Sequence, residues 1–347
     1  MLTWIAALPQ LKRNWYGIAG AAVLAFFSVA AVGADTLSDV LERGMLRCAV
    51  IEASPGFSSI DANGRRYGFD IDNCRTVAAA VLGDADAIEY VPINPNTAFT
   101  TLQSGGVDVF PGGATWTFLR DTSLGLDYTG AYLYAGQGFV VRRASGVSRI
   151  PDLEGATICV AQGTTNEQNL ADYFRARRMK YSIVTFADVE RGLNAYLADR
   201  CDAFTTEVFS LAGRIVALRN PEEHRILGDV ISKEPFSGLV RQGDPRWRDI
   251  VFWAFNSRVA AEEFGLTMGN VEEMRARTED AEVRRFLGVE GGFGQQLGLR
   301  NDWAYQIVVQ VGNYGEVFAR HFEPLGLERG LNALWRDGGL MIAMPYR

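Results

Sequence analysis

The same succession of strand and helix occurs twice in this chain, and each copy carries two of the four cysteines. In the first copy, Leu46 to Ile51 is a short apolar run that predicts a strand. Ile71, Cys74, Val77, Ala78 and Val81 then recur at helical spacing. Ala87 to Ile93 reads as a second strand, Phe99 and Leu102 as a short helix ended by Gly105 and Gly106, and Val107 to Phe110 as a third strand. In the second copy, strands are expected at Thr157 to Val160, Ser182 to Phe186 and Asp202 to Thr205. Its helices are expected from Gly163-Thr164-Thr165 to about Arg177, through Leu193, Tyr196 and Leu197, and from Val208 to Leu218. A β-α-β-α-β order implies a mostly parallel sheet with helices on its faces. The expected fold class is therefore α/β, with two lobes of one plan, and a chain of 347 residues is long enough to give each lobe its own core.

Residues 1–34 stand apart. They hold no Asp or Glu, and Lys12 and Arg13 precede an apolar stretch from Trp15 to Gly33 that ends in small residues, with Val32 and Ala34 suited to a cleavage point. This order reads as a secretory signal peptide. The apolar run nearly reaches spanning length, so an uncleaved anchor is the competing reading, and either one exports the rest of the chain to the periplasm. The net charge is −7 with only two histidines, His224 and His321. An acidic chain is a poor nucleic-acid binder, and the scarcity of histidine argues against a His-based metal site. No cofactor is expected.

Four cysteines in an exported protein, with no CxxC spacing, suggest disulfides. Pairing within each half, Cys48 with Cys74 and Cys159 with Cys201, would staple each lobe and leave the two free to move, whereas pairing between halves would lock them. The polar join Arg142-Arg143-Ala144-Ser145-Gly146 and a second crossing near Ser232 to Gly238 divide the chain. The first part of lobe one is expected at 35–142, lobe two at 143–235, and a return to lobe one with a C-terminal helical extension at 236–347.

Ligands of open parallel sheets bind beyond the carboxyl ends of the strands. After the third strand of the first copy comes Pro111-Gly112-Gly113-Ala114-Thr115-Trp116-Thr117-Phe118-Leu119-Arg120. Gly113 lets backbone approach a ligand, Thr115 adds a hydroxyl, and Arg120 adds a planar fork for a carboxylate. A surface pair of Arg120 with Asp121 or Asp127 is the plainer alternative. In the second copy, Gln162-Gly163-Thr164-Thr165-Asn166-Glu167 opens a helix. The amides and hydroxyls of Thr164, Thr165 and Asn166 can hold an anion, while Thr164 with Glu167 equally fits an ordinary capping box. Glu207, at the end of the last strand, can face a cationic group or merely favour the start of the next helix. Phe57, in the turn-rich loop Ser54 to Ser59, is either a ligand-facing aromatic or a core residue. An anion clamp and a carboxylate on facing lobes are complementary to a zwitterion, whose charged ends are costly to desolvate without fixed partners.

At these residues the chain resembles polar amino-acid-binding proteins of ABC transporters, and among them the general L-amino-acid-binding branch. The likeness is carried by Gly68-Phe69-Asp70-Ile71-Asp72, by Leu102-Gln103-Ser104-Gly105 through Asp108, by Thr115 to Arg120 and by Gln162 to Thr165. The tail adds Asp302-Trp303-Ala304-Tyr305, Val311-Gly312-Asn313-Tyr314-Gly315-Glu316 and Arg329-Gly330-Leu331-Asn332-Ala333. The resemblance implies a two-lobed type II periplasmic binding fold, a monomeric receptor for a free amino acid, and an inner-membrane ABC permease as partner. By position it implies that Arg120 grips the α-carboxylate with help from Thr115, the amides near Gly113, and Thr165. Glu207 stands where the family usually has an aspartate for the α-amino group. Glu207 is one methylene longer than that aspartate, Gly112 and Gly113 replace polar residues of the pocket floor, and Glu52 or Ser54 stands near the place of a stacking aromatic. These departures point to a roomy pocket. A dehydratase of prephenate or arogenate type, with Glu207 as general acid, and a ligand-sensing input protein are the alternatives on the same fold.

Overall fold

The computed structural model describes residues 35–94 and 97–347, so the signal peptide expected at 1–34 lies outside the described residues. Among the described residues no helix is long and apolar enough to cross a membrane.

The first lobe is built on the parallel pair Leu46–Ile51 and Ile88–Ile93. Side chains alternate across the strand as its period of two requires. Leu46, Cys48 and Val50 enter one core, and Ala49 enters another on the opposite face. The helix Phe69–Leu82 covers the first of these faces, and its Cys74 is disulfide-bonded to Cys48. The third strand is displaced from its expected place. Val109 makes only an isolated parallel bridge to Cys48, and the strand proper runs from Phe110 to Thr115. The long strand Glu234–Arg241 pairs antiparallel with Phe110, Ala114 and Thr115 on one side and with Leu126–Ala135 on the other, and its register shifts opposite Pro111 to Gly113, where Gly113 takes a left-handed φ of +73°.

The second lobe carries a sheet in the order His224–Ile226, Gln137–Arg142, Ala203–Glu207, Thr157–Ala161, Ser182–Phe186. Alternation again fixes its two faces. Phe139, Val141, Ile158, Val160 and Ala203 pack under Leu170 and Phe174, while Val140, Cys159 and Phe204 pack under Leu193, Tyr196 and Leu211. Cys159 is bonded to Cys201. Closing loops of 26 and 42 residues, the two disulfides restrict the unfolded chain by about 3–4 kcal/mol each. The strand Gln137–Arg142, read from sequence as the end of the first lobe, is hydrogen-bonded into the second sheet from Ala203 to Glu207. The chain therefore crosses at Gly136 rather than at the polar Arg142 to Gly146 segment, which forms a surface turn instead. The two crossings lie side by side: the Ile231 amide donates to the Gln137 carbonyl and the Gln137 amide to the Ser232 hydroxyl.

After the second crossing the chain returns to the first core. Trp247, Ile250, Val251 and Ala254 of helix Pro245–Glu263 join it, as do Trp303, Ile307, Tyr314 and Phe318 from later helices. Buried Asp72 ties the tail to the Phe69–Leu82 helix through Arg320 at 2.5 Å and His321 at 2.7 Å. Asn332 bonds both the amide and the carbonyl of Tyr134.

Candidate functional site

Between the ends of the two sheets lies a cavity of about 470 Å³. All eight residues singled out from the sequence, Phe57, Gly113, Thr115, Arg120, Thr164, Thr165, Asn166 and Glu207, border it.

Arg120 sits in the short helix Phe118–Ser123, opened by Thr117, whose hydroxyl accepts from the Arg120 amide. Its guanidinium donates to the Thr115 carbonyl at 3.2 Å and lies 5.3 Å from the Phe99 ring. Among the described residues it forms no ion pair, so the expected alternative of a pair with Asp121 or Asp127 does not occur. Phe57 meets both of its readings. It is 5% exposed, packs on Phe209, Phe236 and Phe322, and still borders the cavity.

On the opposite wall, Thr164 caps the helix Thr165–Ala176 by accepting from the Glu167 amide. Glu167 reaches back past the cap to the Gly163 amide at 2.7 Å. The amide of Gly163 is thereby committed, and the helix's own first amides, at Thr165 and Asn166, have no partner one turn earlier. Glu207 ends its strand and opens the helix Val208–Val216. Its longer side chain is held back, with one oxygen taking the Asn166 amide at 2.8 Å and the other the neighbouring Thr206 hydroxyl at 2.7 Å.

Three residues central to this geometry were not singled out from the sequence. The first is Glu234, on the second crossing and 1% exposed. Thr115 of the first lobe donates to it, as do Thr165 and Asn169 of the second and Ser232 of the crossing itself. Burial, reinforced by the charge of Glu207, raises the pKa of its carboxyl although three of these hydrogen bonds work to lower it. Both threonine hydroxyl protons therefore point away from the cavity, which leaves Thr115 and Thr165 to offer it acceptor lone pairs. This corrects the expectation that these hydroxyls donate to an anion.

The second is Asp70, from the Gly68 to Asp72 motif. It is buried at the cavity floor, and burial pushes its carboxyl up to about 7 against the hydrogen bond from Asn73 and the charge of Arg258. A Cβ on Gly112 would lie 2.0–2.1 Å from this carboxylate. The space vacated at Gly112 is filled by Asp70, and only Gly113 leaves room toward the cavity, with Ile51 at 3.7 Å its nearest neighbour.

The third is Arg214, on the apolar helix Val208–Val216 and 8% exposed. Glu207, Ser210 and Arg214 follow one another at helical spacing and all border the cavity, a periodicity that was available in the sequence. Among the described residues no histidine or cysteine borders it. Among the described residues, no three or more His, Cys, Asp and Glu side chains are grouped to hold a metal ion.

Residues 46–265 match the family described as bacterial extracellular solute-binding proteins, family 3. The glutamate/glutamine/aspartate/asparagine-binding protein BztA of Rhodobacter capsulatus is 48% identical over 331 residues, covering 94% of this chain and 98% of that protein. The general L-amino acid-binding periplasmic protein AapJ of Rhizobium johnstonii is 46% identical over 333 residues, covering 94% and 97%. A solved periplasmic binding protein of an ABC transporter from Brucella ovis, with glutathione bound, superposes with a TM-score of 0.88 at 48% identity over 90% of this chain and all of that one. Agreement of this extent, over both lobes and the tail, makes the chain a member of the family 3 bacterial extracellular solute-binding proteins.

Proposed function

We propose that this protein is the extracytoplasmic receptor of an ABC importer, capturing a free amino acid between its lobes and presenting it to an inner-membrane permease. The observation that carries the reading is the cavity itself, which has on one wall a guanidinium that forms no ion pair among the described residues and on the other a hydrogen-bonded carboxylate. Arg120 and the Thr165 and Asn166 amides would take the α-carboxylate, while Glu207 and the lone pairs of Thr115 and Thr165 would take the α-ammonium. Each charged end then exchanges water for a fixed partner. The lobes divide at Gly136 and near Glu234, and contacts made to both at once favour the closed form. Export to the periplasm is supported by the leader-like residues 1–34 and by the periplasmic relative AapJ. The chain turns nothing over, in keeping with relatives that are named for binding.

A second reading, that the solute is a short peptide with a free amino-acid end, is supported by the cavity volume of about 470 Å³, and the Brucella ovis protein holds such a peptide, glutathione. Both readings use the same charged ends. Thermal unfolding with a panel of amino acids and with glutathione tests them. At a hundred times its Kd the true ligand adds about 2.7 kcal/mol. Arg120→Ala should abolish that gain, and Lys233→Ala, exposed and outside the cavity, should keep it. Equal loss in both variants sinks the site, and no shift with any of these solutes sinks the function.

A further inference from the structure

Helix Val208–Val216 divides its sides three ways at helical spacing. Leu211 and Ile215 face the second lobe's own core, and Ser210 and Arg214 border the cavity. Phe209 and Gly213 face the first lobe instead. Phe209 is 6% exposed and lies in the first lobe's core, with the Phe322 ring at 4.7 Å, Phe318 at 6.1 Å and Phe57 at 6.5 Å. A Cβ on Gly213 would lie 2.4 Å from the Pro55 carbonyl oxygen, so the helix backbone rests directly on that loop. Arg214 donates to the Ala53 carbonyl beside it at 3.0 Å, and Ala53 holds a left-handed φ of +52°, which a residue with a side chain adopts where its surroundings impose it. The tail backs the same loop from its other side. A Cβ on Gly56 would lie 2.9 Å from Leu325 and 3.3 Å from Phe322, and the Phe57 ring stands 5.2 Å from that of Phe322. Phe318, Phe322 and Leu325 all come from residues 266–347, beyond the segment 46–265 that matches the family.

We propose that this tail is part of the binding machinery: it builds a socket for Phe209, a third joint between the lobes beside the two crossings, and so sets helix Val208–Val216 against the first wall. The inference rests on the reading of the cavity as the ligand site and deepens it. Phe209, Phe318 and Phe322 are positioning residues, since none of them borders the cavity. Glu207, Ser210 and Arg214, which do border it, ride on the helix that the socket holds. The joint lies beside the first crossing, because the Val208 amide donates to the Gly136 carbonyl. Phe209 is therefore close to the axis of any rotation about the crossings and stays seated while the lobes move. Gly213 lies one turn farther along, about 6 Å, and meets Pro55 as the cleft shuts. Apolar rings hidden from water keep the joint seated with or without ligand. Once it is lost, the helix samples many positions, of which only a fraction bring Glu207 within reach of the first wall. Apparent affinity then falls by that fraction for every solute alike.

Phe209→Ala, Phe322→Ala and Phe286→Ala test the joint. Phe286 is 1% exposed in the same core but packs on Phe264 and Tyr346, away from the helix. Calorimetric titration with glutamine and with glutathione should show a Kd raised about 10-fold or more in Phe209→Ala and Phe322→Ala, by the same factor for each solute that binds, and Phe322→Leu should recover most of the loss. Phe286→Ala should melt earlier to a similar extent while its Kd stays within about 3-fold of wild type. Spin labels on exposed Glu42→Cys in the first lobe and Asp172→Cys in the second report the separation of the lobes without ligand. Both socket variants should give a broader distance distribution than wild type or Phe286→Ala. An unchanged Kd in both socket variants overturns the proposal. An equal rise in Phe286→Ala also overturns it, because the effect is then one of stability alone. If neither solute binds wild type, the amino-acid reading falls by itself and the ligand-free distances decide the joint: socket variants that keep the wild-type distribution overturn it, and a broadened distribution upholds it.

Discussion

On the first-lobe wall of the cleft the polar groups are few and backed by close packing, whereas the second-lobe wall carries a linked set of polar side chains that border the cavity. Strand Phe110–Thr115 supplies the first wall, with Phe57 and Phe236 beside it and Asp70 pressed against Gly112 behind. The second wall is made from the openings of two helices, where Thr164, Asn166, Glu207 and Arg214 bond to neighbours on side chains that can be re-aimed. The difference teaches where tolerance should lie. A wall fixed by buried contacts resists any added atom. A wall of polar side chains bonded to one another resists loss of a charge more than a change of shape.

A pair of glycine substitutions breaks or sharpens this contrast most strongly. Gly112→Ala inserts a Cβ at 2.0–2.1 Å from the buried Asp70 carboxylate and should cost about 3 kcal/mol. Gly163→Ala, on the second wall, meets nothing within 4 Å. It pays only for its left-handed backbone at φ +70°, about 1 kcal/mol. Denaturant midpoints at unchanged m-value measure both. Equal costs would mean that the first wall relaxes as readily as the second.

Asp70 gives the next largest effect. Its carboxyl is raised from 3.8 to about 7 by burial, with Asn73 and Arg258 pulling the other way and buried Tyr132 nearby. Because the folded pKa lies above the unfolded one, the stability gained by keeping the proton is fully present below about pH 3.8 and is lost as pH rises through 7. Asp70→Asn removes that dependence. Wild type should therefore lose stability relative to Asp70→Asn between pH 4 and pH 8, by a few kcal/mol in all. A constant difference across that range would show that Asp70 is not buried in its neutral form. No comparable dependence is expected from Asn166, its neutral counterpart deep in the second wall.

The lobes, the strand–helix order and the disulfides were legible because each rests on local information. Period-two and helical spacings are written in consecutive residues, and each cysteine pair closes within one repeat of the plan. The misplaced features depend on distant partners. The third strand reads as Val107 to Phe110 until Glu234–Arg241 is laid beside Phe110–Thr115, and Gln137–Arg142 reads as the first lobe until its pairing with Ala203–Glu207 is known. The cleft residues Arg120 and Glu207 announced themselves as charges at the ends of strands. Arg214 sat inside an apolar helix, marked only by its helical spacing from Glu207, and Glu234 sat beside a proline at a crossing, where nothing in the adjacent residues indicates what it meets.

Glu234 belongs to neither wall, and it tests whether the contrast between them holds at the seam. Its carboxylate takes hydrogens from Thr115 on the rigid side and from Thr165 and Asn169 on the adjustable side. Burial raises its pKa and Glu207 adds to that, whereas the hydrogen bonds from Thr115, Ser232 and Asn169 restrain it. With the folded pKa above 4.5, its protonated form contributes stability that is complete below that value and fades as pH rises through the folded pKa. Glu234→Gln has no such slope, so the melting temperature of wild type should fall relative to the variant as pH rises from 4, by less than the Asp70→Asn comparison gives. Protonation also turns Glu234 from an acceptor into a donor toward one of its threonines, freeing that hydroxyl proton to face the cavity. Affinity should therefore depend on pH through this residue, and Glu234→Gln, which carries a donor at every pH, should show a flatter profile. A variant that keeps the wild-type pH profile for both melting and binding would mean that the seam is held by packing alone, and that the threonines are aimed by their own walls.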